Sequence, residues 1–186
     1  MRVTTTPFRD LVILEPRVFE DNRGYFFESY NEQTFRNLGL NYRFVQDNQS
    51  YSTKGVLRGL HFQAPPHAQT KLVRVLSGVI QDVVVDLRSS EPTFGKYFSI
   101  ALSSTNRKQL LVPKGFAHGF LVLSETADVL YKSDTLYEPS AERGIRFDDN
   151  LLNVRWMEKN PDEFFLSEKD RKLPKWETVL AELLST

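Results

Sequence analysis

The length, composition and charge of the chain exclude several classes of protein. With 186 residues it is long enough to bury a core without disulfides, and we expect one domain over residues 1–186. Its 24 basic and 24 acidic residues leave no charge excess that would indicate nucleic acid or an anionic membrane as partner. The absence of cysteine excludes disulfides, thiolate nucleophiles and cysteine-ligated metals. Residues 1–7 lack a signal-peptide pattern and no apolar run approaches about 20 residues, so we expect a cytoplasmic protein without membrane spans.

The first forty residues predict short strands and one short helix. The apolar run at 11–14 and the segment that begins at Val18 are expected to be strands, with a turn at 21–24 (DNRG). Asn31 is expected to cap a helix over residues 32–38, which the following glycine ends.

From residue 42 onward, strand signals dominate. Residues 42–49 alternate and then become polar, and residues 50–54 are expected to form a loop. The runs at 72–76 and 79–88 flank a Ser-Gly pair, which predicts a β-hairpin. The second run is apolar at odd and even positions, as in a strand covered on both faces, although it includes Asp82. Further strand segments lie at residues 55–63, 97–102, 109–112, 116–123, 129–133 and 144–147.

Strands that recur about every ten residues, with no long helix between them, favour antiparallel pairing. We therefore predict a mainly β fold: a jelly-roll (cupin-like) antiparallel β-sandwich with a few short helices and a pocket between its sheets. The end of the chain differs, because apolar side chains there follow helical spacing and predict a docked helical tail over about 174–186. These side chains are Trp176, Val179, Leu180, Leu183 and Leu184.

Residues 55–63 (GVLRGLHFQ) place an arginine and a histidine in an apolar, strand-like run that a Pro-Pro pair soon follows. Polar groups are costly in such a strand, so the segment is expected to line a pocket, and His61 is the leading candidate for a catalytic imidazole. The other histidines are His67, expected in a loop, and His118. A metal site from all three histidines is an alternative, but the chain lacks the His-x-His pair that jelly-roll metal sites often use.

The remaining chemistry is proton transfer in a dry pocket. A histidine can remove a proton beside a carbonyl, a lysine ammonium can stabilise the resulting oxyanion, and a tyrosine can return a proton from the other face. The chain has no Gly-x-Ser-x-Gly elbow and no glycine-rich phosphate loop that would favour hydrolysis or phosphoryl transfer. These residue types match epimerisation beside a ketone.

Several sequence blocks carry a resemblance to a known family. They are residues 55–63, 71–73 (KLV), 82–88 (DVVVDLR), 113–120 (PKGFAHGF) and 166–170 (LSEKD). Together they resemble the dTDP-4-dehydrorhamnose 3,5-epimerase family, in the expected order and over nearly the whole chain.

The resemblance implies a jelly-roll homodimer without metal or cofactor. Such a protein inverts C3 and C5 of dTDP-4-dehydro-6-deoxy-D-glucose on the way to dTDP-L-rhamnose. His61 matches the family's base, Asp170 its carboxylate partner, Tyr131 the acid and Lys71 the lysine that stabilises the enolate. The residues that match substrate-contacting positions are Arg23, Glu28, Gln46, Asp47, Asn48, Arg58, Asp82, His118, Tyr137, Glu142 and Lys169, with Tyr137 expected to stack on the thymine.

Arg58 and His61 would face opposite sides of a regular strand, so a bulge near Gly59 is expected to bring them together. Three other functions compete with the double epimerase. A relative could invert one carbon only, a jelly-roll module could bind sugar nucleotides without catalysis, and a metal-dependent jelly roll could act as an oxygenase or isomerase.

Overall fold

The computed structural model describes residues 1–157 and 164–184, and most of its regular structure is antiparallel strand. Strands β1 to β6 span Arg2–Thr5, Val12–Glu15, Val18–Asp21, Gly24–Phe27, Gln46–Thr53 and Leu57–Gln63. Strands β7 to β13 span Lys71–Ser77, Val79–Asp86, Tyr97–Ser103, Gln109–Val112, Phe116–Val122, Thr126–Ser133 and Glu142–Gly144. Helices α1, α2 and α3 span Glu32–Asn37, Glu168–Arg171 and Trp176–Leu184. No helix in these two described ranges is long and apolar enough to cross a membrane.

The strands form two large sheets and a separate hairpin. The six-stranded sheet has the order β1-β2-β10-β7-β12-β5, the five-stranded sheet has the order β13-β6-β11-β8-β9, and β3 pairs with β4. Apolar side chains from both large sheets, including Val73 and Val129 from one and Ile80 and Phe120 from the other, share one buried cluster. The predicted antiparallel β-sandwich with few helices is confirmed.

Strand β8 is apolar at both parities because both of its faces are covered. Ile80 and Val84 belong to the cluster between the sheets. Val83 and Val85 face outward and pack in a second cluster with Trp176 of α3. The expectation that this strand is covered on both sides is confirmed, and α3 supplies part of the outer cover.

The hairpin predicted around Ser77-Gly78 is wrong. Strand β7 pairs with β10 and β12 in one sheet, whereas β8 pairs with β9 and β11 in the other. Gly78 has φ +83°, and a Cβ on it would lie 2.1 Å from the carbonyl oxygen of Thr126. The Val79 N–H donates to Ser124 Oγ at 2.8 Å, so the turn is fixed by contacts outside the two strands. The turn carries the chain from one sheet to the other.

One other expectation in the first half of the chain is corrected. The polar residues expected to form a loop at 50–54 mostly belong to β5, which pairs with β12 along its whole length and forms the edge of its sheet. Polar side chains are compatible with this strand because its alternate residues face solvent. The aromatic segment after the 21–24 turn is strand β4, which completes a hairpin with β3.

Both predicted helices are present. Asn31 caps α1, and its Oδ1 accepts a hydrogen bond from the Thr34 N–H at 3.0 Å, as expected. Helix α3 buries Trp176 and Val179, whereas Leu184 is exposed, so the apolar stripe is shorter than predicted. Residues 185 and 186 of the predicted tail lie outside the described residues. The strand expected at 144–147 is also displaced, since β13 ends at Gly144.

Candidate active site

A cavity of about 750 Å³ opens between the two large sheets. Its polar side chains come from the same inward strand faces that supply the apolar core. Lys71 lies on the same strand face as the core residue Val73, two positions away. Tyr131 is related in the same way to Val129, and His118 to Phe120. The cavity therefore continues the interior of the sandwich, with polar residues replacing apolar ones. The predicted site residues that line it are His61, Lys71, Tyr131, Asp170, Asp47, Asn48, Arg58, His118 and Lys169.

A bulge at Gly59 brings Arg58 and His61 to the same cavity. His61 is paired with His118 on β11, but Arg58 is paired with Phe120, so the register shifts between them. Gly59 has φ +121°, and a Cβ on it would lie 2.6 Å from the Cα of Gly119. Only glycine is compatible with this φ and this close approach. The predicted bulge is confirmed.

His61 forms a short hydrogen bond with Asp170. His61 Nε2 donates to Asp170 Oδ1 at 2.6 Å, which leaves Nδ1 to carry the lone pair that can accept a proton. Burial would raise the pKa of the Asp170 carboxyl, but hydrogen bonds from His61, Ser167 and the Gly59 backbone hold that pKa below its usual value. The carboxylate is therefore ionised at neutral pH and can stabilise a positively charged imidazole.

Lys71 and Tyr131 lie together on the six-stranded sheet. The Lys71 ammonium is 5.6 Å from the centre of the Tyr131 ring. Burial lowers the pKa of Lys71 to about 8, partly opposed by the negative charges of Asp82 and Glu142. Burial also raises the pKa of Tyr131, and the charge of Glu142 adds to this effect. Tyr131 is thus a protonated phenol at neutral pH and can donate a proton.

Asp82 is placed differently from the expectation. Its carboxylate is fully buried and does not line the cavity. His118 Nε2 donates to Asp82 at 2.9 and 3.1 Å, so the aspartate lies behind the histidine. Its expected role as a direct substrate contact stays a prediction, and its position in this structure favours orienting His118.

Of three other expected contacts, Glu142 and Gln46 lie one hydrogen bond away from cavity residues, and Tyr137 lies two hydrogen bonds away. Glu142 Oε2 accepts hydrogen bonds from Lys169 Nζ and from the Tyr137 hydroxyl. Burial would raise the pKa of Glu142, but these two hydrogen bonds hold it below its usual value. Gln46 Oε1 accepts from the Tyr137 N–H at 2.9 Å, and Gln46 Nε2 donates to Asn48 Oδ1 at 2.9 Å. This network connects Tyr137 with two sides of the cavity.

Arg23 and Glu28 do not line the cavity within this chain. Arg23 lies at the tip of the β3–β4 hairpin and pairs with Asp21 at 2.6 Å. Glu28 accepts hydrogen bonds from Asn31 and Thr34 near the start of α1. His67 follows the Pro-Pro pair, and it too lies outside the cavity.

Some residues that line the cavity were not predicted. Phe165 forms an exposed aromatic wall, and Ser167 precedes the short helix that carries Lys169 and Asp170. The Ser-x-x-Asp spacing at 167–170 is a helix N-cap pattern that could have identified Ser167. Phe165 has no comparable local signal.

The protein is an antiparallel β-sandwich whose cavity is lined by histidine, tyrosine, lysine and aspartate, side chains that can take part in acid–base chemistry. Comparison with known proteins identifies the family, because the sequence profile of dTDP-4-dehydrorhamnose 3,5-epimerase matches residues 5–178. The chain is 50% identical over 171 residues to the dTDP-4-dehydrorhamnose 3,5-epimerase of Shigella flexneri, covering 91% of this chain and 93% of that protein.

Solved structures agree with this assignment. The crystal structure of dTDP-4-dehydrorhamnose 3,5-epimerase from Elizabethkingia anophelis NUHP1 is similar with a TM-score of 0.91 at 50% identity, covering 96% of this chain and 97% of that one. The dTDP-6-deoxy-D-glucose-3,5-epimerase of Legionella pneumophila Philadelphia 1, in complex with dTDP-4-keto-L-rhamnose, has a TM-score of 0.92 at 43% identity, with coverage of 98% and 96%. The chain belongs to the dTDP-4-dehydrorhamnose 3,5-epimerase family.

Proposed function

We propose that the protein inverts C3 and C5 of dTDP-4-dehydro-6-deoxy-D-glucose to give dTDP-4-dehydro-L-rhamnose. The observation that carries the proposal is that His61 and Tyr131 reach one cavity from different sheets, with Lys71 beside Tyr131. Inversion needs a base on one face of the sugar and an acid on the other. Walls formed by opposite sheets supply that arrangement.

In this mechanism His61 removes the proton from a carbon next to the C4 ketone, and Asp170 stabilises the imidazolium that forms. The electron pair of the broken C–H bond forms an enolate, whose oxygen is stabilised by the Lys71 ammonium. Tyr131 then donates a proton to the same carbon from the other face. C3 and C5 both adjoin C4, so one oxyanion partner serves both inversions.

The other cavity residues fit a nucleoside diphosphate. Arg58 and Lys169 supply positive charge, and His118 lines the same cavity. Arg58 Nε donates to Ser52 Oγ at 3.0 Å, which fixes the guanidinium toward the cavity. We assign Asp47 and Asn48 to polar contacts with the sugar nucleotide, and Tyr137, held by Gln46 and Glu142, to stacking on the thymine.

A homodimer would account for Arg23 and Glu28. Arg23 lies at the tip of the β3–β4 hairpin and Glu28 directly follows it. This hairpin exposes Phe19 at 52%, Tyr25 at 56% and Phe26 at 70%. Aromatic side chains exposed together indicate a contact surface. We propose that a second copy covers this hairpin and that Arg23 and Glu28 thereby reach the cavity of the partner subunit.

Replacing Phe26 with aspartate is expected to dissociate this dimer, because a charge would be buried in an apolar contact. Size-exclusion chromatography with light scattering would show the wild type as a dimer and the variant as a monomer, with reduced activity. Leu151→Asp is the matched control, since Leu151 is 63% exposed on another surface. A fully active wild-type monomer would contradict the proposal.

The function itself is tested by proton exchange. Chelator-treated protein is mixed with dTDP-4-dehydro-6-deoxy-D-glucose in deuterated water, and the C3 and C5 proton signals are followed by NMR. Loss of both signals, with coupled reduction to dTDP-L-rhamnose, is expected. Exchange at one carbon indicates a single-centre epimerase, and binding without exchange indicates a non-catalytic module.

Replacing Tyr131 with phenylalanine is expected to separate proton removal from inversion. His61 is intact, so deuterium should still enter the substrate, but the inverted product should form about 10²-fold more slowly. NMR of recovered substrate and product measures both rates. Tyr51→Phe is the control, because Tyr51 is exposed and outside the cavity. An unchanged product ratio in Tyr131→Phe would remove this residue from the acid's role.

A further inference from the structure

Gln63 is a buried polar side chain that bonds to the backbone of two connecting segments. It is the last residue of β6 and is 6% exposed. Its Oε1 accepts a hydrogen bond from the Glu138 N–H at 2.8 Å, and its Nε2 donates to the Leu136 carbonyl at 3.3 Å. Nε2 also donates to the His67 carbonyl at 2.6 Å. The amide of Gln63 therefore contacts the backbone on both sides of Tyr137.

Tyr137 lies in an irregular segment, residues 134–138, that follows β12. The residue is 50% exposed, so packing alone does not fix its ring. Its N–H donates to Gln46 Oε1 at 2.9 Å, and its hydroxyl donates to Glu142. Together with Gln63, these contacts anchor the backbone and the ring hydroxyl of one exposed tyrosine.

The two glutamines approach this segment from different sheets. Gln46 lies on β5, the edge of the six-stranded sheet, and Gln63 lies on β6 of the five-stranded sheet. A shift of the segment toward either sheet would therefore break hydrogen bonds to the other. An exposed aromatic side chain that a ligand must first order loses conformational entropy on binding, whereas a side chain that is already fixed does not incur this cost.

We infer that Gln63 is a positioning residue that holds Tyr137 as a preformed platform for the nucleobase of the sugar nucleotide. The inference rests on the proposed stacking of Tyr137 on thymine. Gln63 itself lies outside the catalytic cavity. Its loss should therefore weaken binding of the nucleotide without slowing the proton transfers at the sugar.

The experiment is calorimetric titration of the full chain with dTDP and, separately, with inorganic pyrophosphate. Gln63→Met removes the three hydrogen bonds and keeps an unbranched side chain, and it is expected to bind dTDP about tenfold more weakly. Pyrophosphate has no base, so its affinity should be unchanged. The KM for the sugar nucleotide should rise by the same factor at unchanged kcat.

Gln81→Met is the matched control. Gln81 is also a buried glutamine of the five-stranded sheet, and it too lies outside the cavity. Its Nε2 donates to Ser99 Oγ and to the Arg155 carbonyl, both at 2.9 Å, and its Oε1 accepts from the Met157 N–H at 2.6 Å. This variant should lose stability as Gln63→Met does, but it should bind dTDP like the wild type. Equal loss of dTDP affinity in both variants, or a loss of pyrophosphate affinity in Gln63→Met, would indicate general damage and overturn the inference.

A double-mutant cycle tests whether Gln63 acts through Tyr137. Tyr137→Ala should weaken dTDP binding, and the addition of Gln63→Met should weaken it no further. Losses that add, or wild-type dTDP affinity in either single variant, would overturn the inference. If Gln63→Met does not fold, Gln63→Asn takes its place in the cycle, because it keeps a buried amide on a side chain too short for all three contacts.

Failure of the proposed reaction can be distinguished from failure of the inference, because dTDP binding does not require turnover. A wild type that exchanges no deuterium but shows the coupled loss of dTDP affinity would overturn the epimerase function and support the role of Gln63. An active wild type without this coupling would overturn the role of Gln63 and leave the epimerase function intact.

Discussion

Replacing His61 with alanine is expected to lower the rate of deuterium incorporation at C3 and C5 by about 10²–10⁴-fold, the usual contribution of a placed general base. The other cavity cations remain, so substrate should bind with nearly unchanged affinity. Exchange is followed by NMR in deuterated water and affinity by calorimetric titration. A loss confined to the rate identifies His61 as the proton acceptor rather than a binding group.

The matched control for this variant is His67→Ala, which removes an imidazole outside the cavity and should exchange at the wild-type rate. The His61→Ala variant also leaves the buried Asp170 carboxylate without its histidine partner, which lowers the stability of the fold. Thermal unfolding therefore accompanies the assay, and His61→Asn provides a second variant that keeps a polar side chain. Near-normal exchange in a folded His61 variant would exclude the proposed base.

Sequence patterns predicted those features of the fold that are determined by residues close together in the chain. Ile80 and Val83 point to opposite faces of β8. Because both are apolar, the sequence was enough to predict a strand that is covered on both faces. Asn31 identified the start of α1 because a helix N-cap needs only its own next turn. The separation of Arg58 and His61 by three residues predicted the bulge at Gly59.

Long-range relations could not be predicted from these patterns. A Ser-Gly turn between two apolar runs fits a hairpin as well as a crossing between sheets, and the choice depends on strands far along the chain that pair with β7 and β8. Asp82 belongs to the sequence block 82–88, but the burial of its carboxylate depends on His118, which lies on another strand and covers it. Arg23 lies on a hairpin whose exposed aromatic surface is outside the chain's own cavity.

The candidate site depends on the whole fold rather than on one segment, because its residues come from both sheets and from α2. His61 lies on β6 of the five-stranded sheet, while Lys71 and Tyr131 lie on β7 and β12 of the six-stranded sheet. Asp170 reaches His61 from a four-residue helix near the end of the chain. The packing of the two sheets fixes the gap between His61 and Tyr131.

Replacing Lys71 with methionine is expected to lower kcat/KM by about 10²–10³-fold, because one preorganised partner of the developing oxyanion is lost. Methionine keeps an unbranched apolar side chain of similar length, so the cavity wall should be preserved. Lys96→Met is the matched control, since Lys96 is exposed and outside the cavity. Equal activity of the two variants would show that Lys71 does not stabilise the oxyanion.

The pH dependence of the wild type provides an independent test of Lys71. Burial lowers the pKa of its ammonium to about 8, so the charged form predominates below that pH and is lost above it. Activity that needs the charge should therefore decline as pH rises through about 8. The pKa of Tyr131 is raised by burial, so its phenol stays protonated in this range and does not cause the decline. The residual activity of Lys71→Met should lack this alkaline limb, and a limb that persists there would assign the decline to another group.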